Sequence, residues 1–130
     1  MNMRQMAILF TLFFPIILFS METPVQIQLK KNADSKYSLN ISVPKGFAIQ
    51  KDAPNKINLK TEGGLKVDSF NGSFTGNVSL ENPEYYEKVN EFPLQMKGTG
   101  SLIIDSKIFY CDLQRGICYP AKIQKKEIIQ

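Results

Sequence analysis

The two cysteines are the residues of this chain that are best suited to chemistry. Cys111 and Cys118 lie seven positions apart in a sequence of 130 residues that contains no histidine. Without histidine, neither a Ser-His-Asp triad nor a Cys-His pair can form, and the commonest metal ligand is missing. Two cysteines alone do not complete a four-ligand structural zinc site. Thiols, carboxylates, lysines and hydroxyls are the reactive groups that remain.

The segments around the cysteines predict a hairpin. Residues 101–111 and 118–129 are strand candidates, and a polar stretch with one glycine separates them. If the strands are antiparallel, the two cysteines face each other with Cα atoms about 4.5 Å apart, which permits a disulfide. The spacing fits neither an immunoglobulin core disulfide nor a C-x-x-C motif at a helix N-terminus, where the dipole acidifies a thiol. It leaves open both a reactive disulfide and a purely structural one, the latter contributing about 2–3 kcal/mol of stability.

Residues 110–120, which read Tyr-Cys-Asp-Leu-Gln-Arg-Gly-Ile-Cys-Tyr-Pro, resemble a known redox motif. The motif belongs to the periplasmic N-terminal domain of DsbD, a transmembrane thiol–disulfide reductase. The loop between the cysteines is one residue longer here. Residues 43–47 and 84–88 resemble two further segments of that family in the same order. The matching positions of the motif are Cys111, Gly116, Cys118, Tyr119 and Pro120.

This resemblance implies an immunoglobulin-like antiparallel β-sandwich that uses no cofactor and no metal. It implies that Cys118 exchanges disulfides with a partner's cysteine and that Cys111 resolves the mixed disulfide. Glu84 matches an acidic residue near the family's site, where it would carry a proton, and Tyr85 matches an aromatic cap over the disulfide. The expected cap and partner-binding residues are Tyr85, Tyr86, Phe47, Tyr119 and Pro120.

Residues 1–20 have the features of a secretory signal peptide. Arg4 precedes an apolar run from Ala7 to Phe19, which is short for a membrane span of about 20 residues. We therefore expect a periplasmic or secreted protein, in which a lasting disulfide can form. An uncleaved membrane anchor is the alternative interpretation. Residues 21–130 are expected to form one domain.

The body of the chain predicts an all-β fold. Apolar residues alternate with polar ones from Val25 to Leu29 and again from Tyr37 to Val43, which places one face of each strand on a core. Turn signals recur at short spacing, and Asn71-Gly72 is the strongest hairpin signal among them. Many short strands in about 110 residues are typical of a β-sandwich.

Two functions are consistent with these features. The first is an exported thiol–disulfide interchange module, a thiol–disulfide oxidoreductase if active, that exchanges with thioredoxin-like proteins, other disulfide-exchanging proteins or a membrane electron carrier. The second is a non-catalytic exported β-sandwich that binds a protein or envelope component and is held together by a structural disulfide. The formal charge of +4 comes from scattered lysines with no nucleic-acid-binding pattern. The carboxylates show no spacing that indicates a hydrolase.

Overall fold

The structure is a computed structural model that describes residues 23–130. The signal peptide predicted for residues 1–20 therefore lies outside the described residues. In the described range no helix is long and apolar enough to cross a membrane. The ten strands of this range are β1 (Gln26–Ala33), β2 (Lys36–Ser42), β3 (Phe47–Gln50), β4 (Lys56–Gly63), β5 (Lys66–Phe70), β6 (Gly76–Val78), β7 (Tyr85–Val89), β8 (Phe92–Lys97), β9 (Gly100–Asp112) and β10 (Ile117–Ile129).

The strands of the described chain form two sheets, and the pairings are antiparallel. One sheet has the order β1-β2-β8-β5. The other has the order β10-β9-β3-β7-β6. β4 also pairs with β9 in this sheet, on the same side as β3, but with an earlier stretch of β9. The predicted all-β, immunoglobulin-like antiparallel sandwich is confirmed.

Alternation of side chains along the strands builds the core between the sheets. On β9 the residues Leu102, Ile104 and Ile108 are fully buried, Ser106 is buried in the same row, and exposed or half-buried residues alternate with them. On β8 the residues Phe92, Leu94 and Met96 repeat the same period of two from the opposite sheet. Because successive side chains of a strand point to opposite faces, each strand contributes one apolar row to the core.

The hairpin of β9 and β10 is the longest pairing in the described chain. Its register runs without interruption from Gly100 opposite Ile129 to Asp112 opposite Ile117. Both strands begin and end within a residue or two of the bounds that the sequence predicted. The buried Ser106 hydroxyl donates a hydrogen bond of 3.2 Å to the carbonyl of Ile123 across this hairpin. A long, regular hairpin holds the cysteine pair near its turn.

The prediction of a hairpin turn at Asn71-Gly72 is wrong. β5 precedes this dipeptide and pairs with β8 in one sheet, whereas β6 follows it and pairs with β7 in the other. Neither Asn71 nor Gly72 has a positive φ, which the expected two-residue turn needs. The Asn71 side-chain oxygen instead accepts a hydrogen bond from the Ser73 N–H at 3.0 Å. The dipeptide starts a crossover between the sheets.

Candidate functional site

Cys111 and Cys118 form a disulfide across the end of the β9–β10 hairpin. They are direct partners in the strand register, and their Cα atoms are 3.9 Å apart. This arrangement is the one that the hairpin interpretation predicts. No helix dipole acts on either sulfur, since both residues lie on strands.

The disulfide lies on the outer face of its sheet, the side that points away from the core. The even-numbered residues of β9, such as Ile104 and Ile108, face the core, so the alternation turns Cys111 to the other side. Its partner on β3 is Ala48. Cys111 and Ala48 are both buried, yet neither belongs to the cluster of apolar residues between the sheets. Cys118, Cys111 and Ala48 thus form one cross-strand row on the outer face.

The two cysteines differ sharply in exposure. Cys111 is 1% exposed, and its small neighbours in the sheet are Ala48 on one side and Cys118 on the other. Cys118 is exposed, because β10 is paired on one side alone among the described strands. An attacking thiolate therefore has access to Cys118 and not to Cys111, and accessibility governs which sulfur is attacked in thiol–disulfide exchange.

The turn that follows Cys111 is fixed by local hydrogen bonds. The Asp112 carboxylate accepts hydrogen bonds from the N–H groups of Gln114 at 3.0 Å and Arg115 at 3.2 Å. Gly116 has a φ of 67°, a left-handed conformation that glycine adopts without steric cost. The Leu113 N–H donates a hydrogen bond of 2.9 Å to the Gly46 carbonyl, which ties the turn to the segment before β3. These contacts fix the position of the cysteines at the hairpin end.

Three aromatic residues lie on the inner face of this sheet, the face opposite to the one that carries the disulfide. The ring of Tyr110 lies 5.6 Å from that of Tyr119 and 6.1 Å from that of Phe47, between centroids. Tyr119 follows Cys118 directly and so points to the opposite side of β10, although it is 37% exposed. Pro120, in contrast, shares the outer face with Cys118. Of the expected partner-facing residues on this hairpin, Pro120 alone lies on the side of the cysteines.

Residues 79–85 form a compact loop beside the disulfide row. The Ser79 N–H bonds to the Tyr85 carbonyl at 3.0 Å, and the Tyr85 N–H bonds to the Asn82 carbonyl at 3.1 Å. Leu80 at its tip is 99% exposed. A cavity of about 490 Å³ separates the loop from Ala48 and Leu113. The residues that line it are Phe47, Ala48, Ser79, Leu80, Glu81, Asn82, Tyr85, Tyr86, Glu87 and Leu113.

The residues of the expected cap are divided between the two faces. Tyr85 is half-buried and pairs with Gln50, so it shares the outer face with Ala48 and the cysteines. Tyr86 pairs with Ile49, packs against the core and donates a hydrogen bond of 3.3 Å from its hydroxyl to the Phe74 carbonyl. The structure brings Tyr85 to the side of the disulfide and Tyr86 to the opposite side.

Two carboxylates belong to the segment that leads into and forms β7, the expected proton carrier Glu84 and Glu87. The Glu84 carbonyl accepts a hydrogen bond from the Lys51 N–H at 2.9 Å, three positions along the chain from Ala48. Glu87, which the sequence analysis did not single out, lines the same cavity as Ala48 and Tyr85. No simple alternation identifies Glu87 in advance, because the pairing of β7 with β6 skips this residue and the core residues Tyr86 and Val89 are three positions apart. Among residues 23–130 no three Cys, Asp or Glu side chains are grouped as metal ligands would be.

Comparisons with known proteins find similarity among solved structures. The crystal structure of the Neisseria meningitidis DsbD N-terminal domain in the reduced form matches with a TM-score of 0.46 and 15% sequence identity. The match covers 81% of this chain and 85% of that chain. No protein-family model matches, and a search of curated proteins finds no match. The DsbD N-terminal domain is also the family that residues 110–120 resemble.

Proposed function

We propose that the protein is an exported thiol–disulfide interchange module that passes electrons through a reversible Cys111–Cys118 disulfide. The observation that carries this proposal is the unequal exposure of the two cysteines. An exposed Cys118 offers a partner one sulfur to attack, and a buried Cys111 is protected from side reactions with other thiols. A disulfide with a structural role alone gains nothing from this asymmetry.

The oxidised domain accepts two electrons from a partner dithiol. A partner thiolate attacks the Sγ atom of Cys118, the Cys111–Cys118 bond breaks, and Cys111 leaves as a thiolate that takes up a proton. The second partner thiol, as its thiolate, then attacks the partner sulfur of the mixed disulfide. Cys118 leaves as a thiolate, the partner gains an intramolecular disulfide, and the domain becomes a dithiol.

The reduced domain runs these steps in reverse on a substrate disulfide. The Cys118 thiolate attacks a substrate sulfur and expels the other substrate sulfur as a thiolate. Cys111 then loses its proton and attacks the Sγ atom of Cys118, which releases the second substrate thiolate. The substrate ends as a dithiol and the domain regains its disulfide, so two electrons have moved from the domain to the substrate.

The residues around the disulfide have supporting roles in this proposal. Tyr85, on the outer face, is the candidate cap that limits exchange until a partner docks. Glu84 is the proton carrier that the family resemblance suggests. Glu87, which lines the cavity beside Ala48, is a second candidate for this role. The partners in this scheme are thioredoxin-like proteins, other disulfide-exchanging proteins or a membrane electron carrier. The protein meets them in the periplasm or outside the cell. Residues 1–20 act as a signal peptide that is removed, and residues 21–130 form the domain.

Trapping of a mixed disulfide tests the proposal. The Cys111→Ser variant keeps the exposed Cys118 and lacks the resolving thiol, so we expect it to accumulate a covalent complex with a protein of the exported fraction. The Cys118→Ser variant is the matched control and should trap nothing, and reduction with dithiothreitol should release the complex. Equal trapping by both variants, or none by either, would favour a binding module with a structural disulfide.

A further inference from the structure

Three lysines stand side by side on the outer face of the sheet that carries the disulfide. Lys107 on β9 is paired with Lys122 on β10 and, on its other side, with Lys56 on β4. All three side chains are exposed. Directly paired residues have Cβ atoms about 4.5–5.5 Å apart, so three positive charges occupy one line across three strands. We call Lys56, Lys107 and Lys122 the lysine row.

The lysine row makes no salt bridge within the described chain, and the exposed carboxylate that lines the same cavity as the three lysines is Asp105. Of the salt bridges in residues 23–130, none involves Lys56, Lys107 or Lys122. Like charges directly opposite each other in a sheet are destabilising. The ammonium of Lys107 lies 5.4 Å from the centroid of the Phe109 ring, a favourable contact that leaves the charge in place. Three lysines and one aspartate leave this part of the outer face with a net positive charge.

The lysine row and the disulfide lie on one continuous surface. Lys107 is four residues from Cys111 along β9, and Lys122 is four residues from Cys118 along β10, all on the outer face. At about 3.3 Å per residue the two rows are about 13 Å apart. Phe109 and Pro120, themselves a cross-strand pair, lie between them. A partner that reaches Cys118 from the outer side therefore lies above the lysine row as well.

A protein interface of ordinary size, centred on Cys118, is large enough to include the lysine row. A standard interface buries about 800 Å² on each side, which is a disc of roughly 16 Å radius. A protein of ordinary size that docks with its thiol on Cys118 thus extends over the lysine row. Its surface there must carry negative charge to be complementary, and complementary charge increases the rate of association.

We propose that the lysine row is the docking surface for an acidic face on the protein that exchanges disulfides with Cys118. This inference rests on the proposed interchange function and adds the charge of the partner. An anionic membrane surface is the alternative occupant. The continuity of the row with the exposed cysteine favours a protein, because it is a thiol of a protein that must reach Cys118.

Peptide thiols of matched sequence test the proposal. One peptide has a single cysteine with three glutamates placed four to six positions away on each side, which spans about 13–20 Å when extended. The other peptide has glutamines in place of the glutamates. The rate at which each peptide reduces the disulfide is measured by mass spectrometry and normalised to its rate on an uncharged model disulfide. The protein variants are K56Q/K107Q/K122Q and the control K30Q/K36Q/K66Q.

The control removes the same number of positive charges from exposed lysines of β1, β2 and β5, in the other sheet. With the native protein at low salt we expect the acidic peptide to react about tenfold faster than the neutral one, the low end of electrostatic steering. The preference should disappear in K56Q/K107Q/K122Q, persist in the control, and vanish at 1 M salt, where the screening length is about 3 Å. Thermal unfolding of both variants confirms that they are folded.

The following results would overturn the inference. A preference for the acidic peptide that survives in K56Q/K107Q/K122Q, or that falls equally in the control, removes the role of the lysine row. Binding of the native protein to phosphatidylglycerol vesicles that is lost in K56Q/K107Q/K122Q, without any peptide preference, assigns the row to a membrane. Exchange with both peptides at equal rates refutes the docking surface alone, whereas no exchange with either peptide refutes the interchange function too.

Discussion

Single cysteine variants should differ in reactivity in the order set by burial. Cys111→Ser leaves an exposed thiol at Cys118, and Cys118→Ser leaves a thiol at a position that is 1% exposed in the disulfide form. Both variants lack the disulfide and differ by the position of one sulfur atom. A thiol reagent in solution should therefore modify the Cys118 thiol readily and the Cys111 thiol only after local opening of the sheet.

The size of the difference follows from the strand pairing. To expose Cys111, the end of β10 must separate from β9, which breaks at least two backbone hydrogen bonds of the hairpin. At about 1 kcal/mol net for each bond, opening costs about 2–3 kcal/mol. Since about 1.4 kcal/mol corresponds to a factor of ten, Cys111 should react about 30- to 150-fold more slowly than Cys118.

The assay is modification by an uncharged disulfide reagent at constant pH, followed by absorbance or intact mass. The same reaction in denaturing urea is the control, and there the two variants should react at similar rates because burial is lost. Circular dichroism verifies that both variants are folded before the comparison. If Cys111 reacts as fast as Cys118 in the folded protein, the reasoning from exposure to unequal roles is refuted.

Three further predictions concern the hairpin end. Reduction of the disulfide opens a loop of eight residues and so gives the unfolded chain more conformational freedom. It should lower the free energy of unfolding in urea by about 2.5 kcal/mol, and an unchanged midpoint would contradict this. Asp112→Ala removes the acceptor of two backbone N–H groups and should cost about 1–2 kcal/mol in the same assay, while Asp112→Asn, which keeps one side-chain oxygen, should cost less. Gly116→Ala places a Cβ atom at a φ of 67° and should cost about 1–2 kcal/mol, and a neutral result would mean that the turn adopts another conformation.

The sequence was sufficient to predict the strands that hold the cysteines. Two long strand candidates flank a short polar turn that contains one glycine. An antiparallel pairing through that turn puts Cys111 opposite Cys118. The alternation of side chains along a strand also predicts the faces, because Tyr119 directly follows Cys118 and must point to the other side. The family resemblance groups Tyr119 with Cys118 on a partner surface, whereas the alternation separates them.

Features that depend on distant pairings could not be predicted from local patterns. Asn71-Gly72 has the composition of a hairpin turn, but the strands on its two sides find partners in different sheets. Likewise, the lysine row requires β4 and β10 to flank β9 on opposite sides, and no local pattern encodes that order. The cavity beside Ala48 and the place of Glu87 in it also depend on the packing of residues 79–85 over β3.

The reduction potential of the Cys111–Cys118 disulfide tests the central claim most directly. It is measured by equilibrating the folded domain with glutathione or dithiothreitol redox buffers and quantifying the two forms by mass. The interchange function predicts a potential above about −300 mV, within reach of exchange with biological dithiols. A potential well below about −300 mV, the range of structural disulfides, would contradict it and leave a β-sandwich held together by its disulfide.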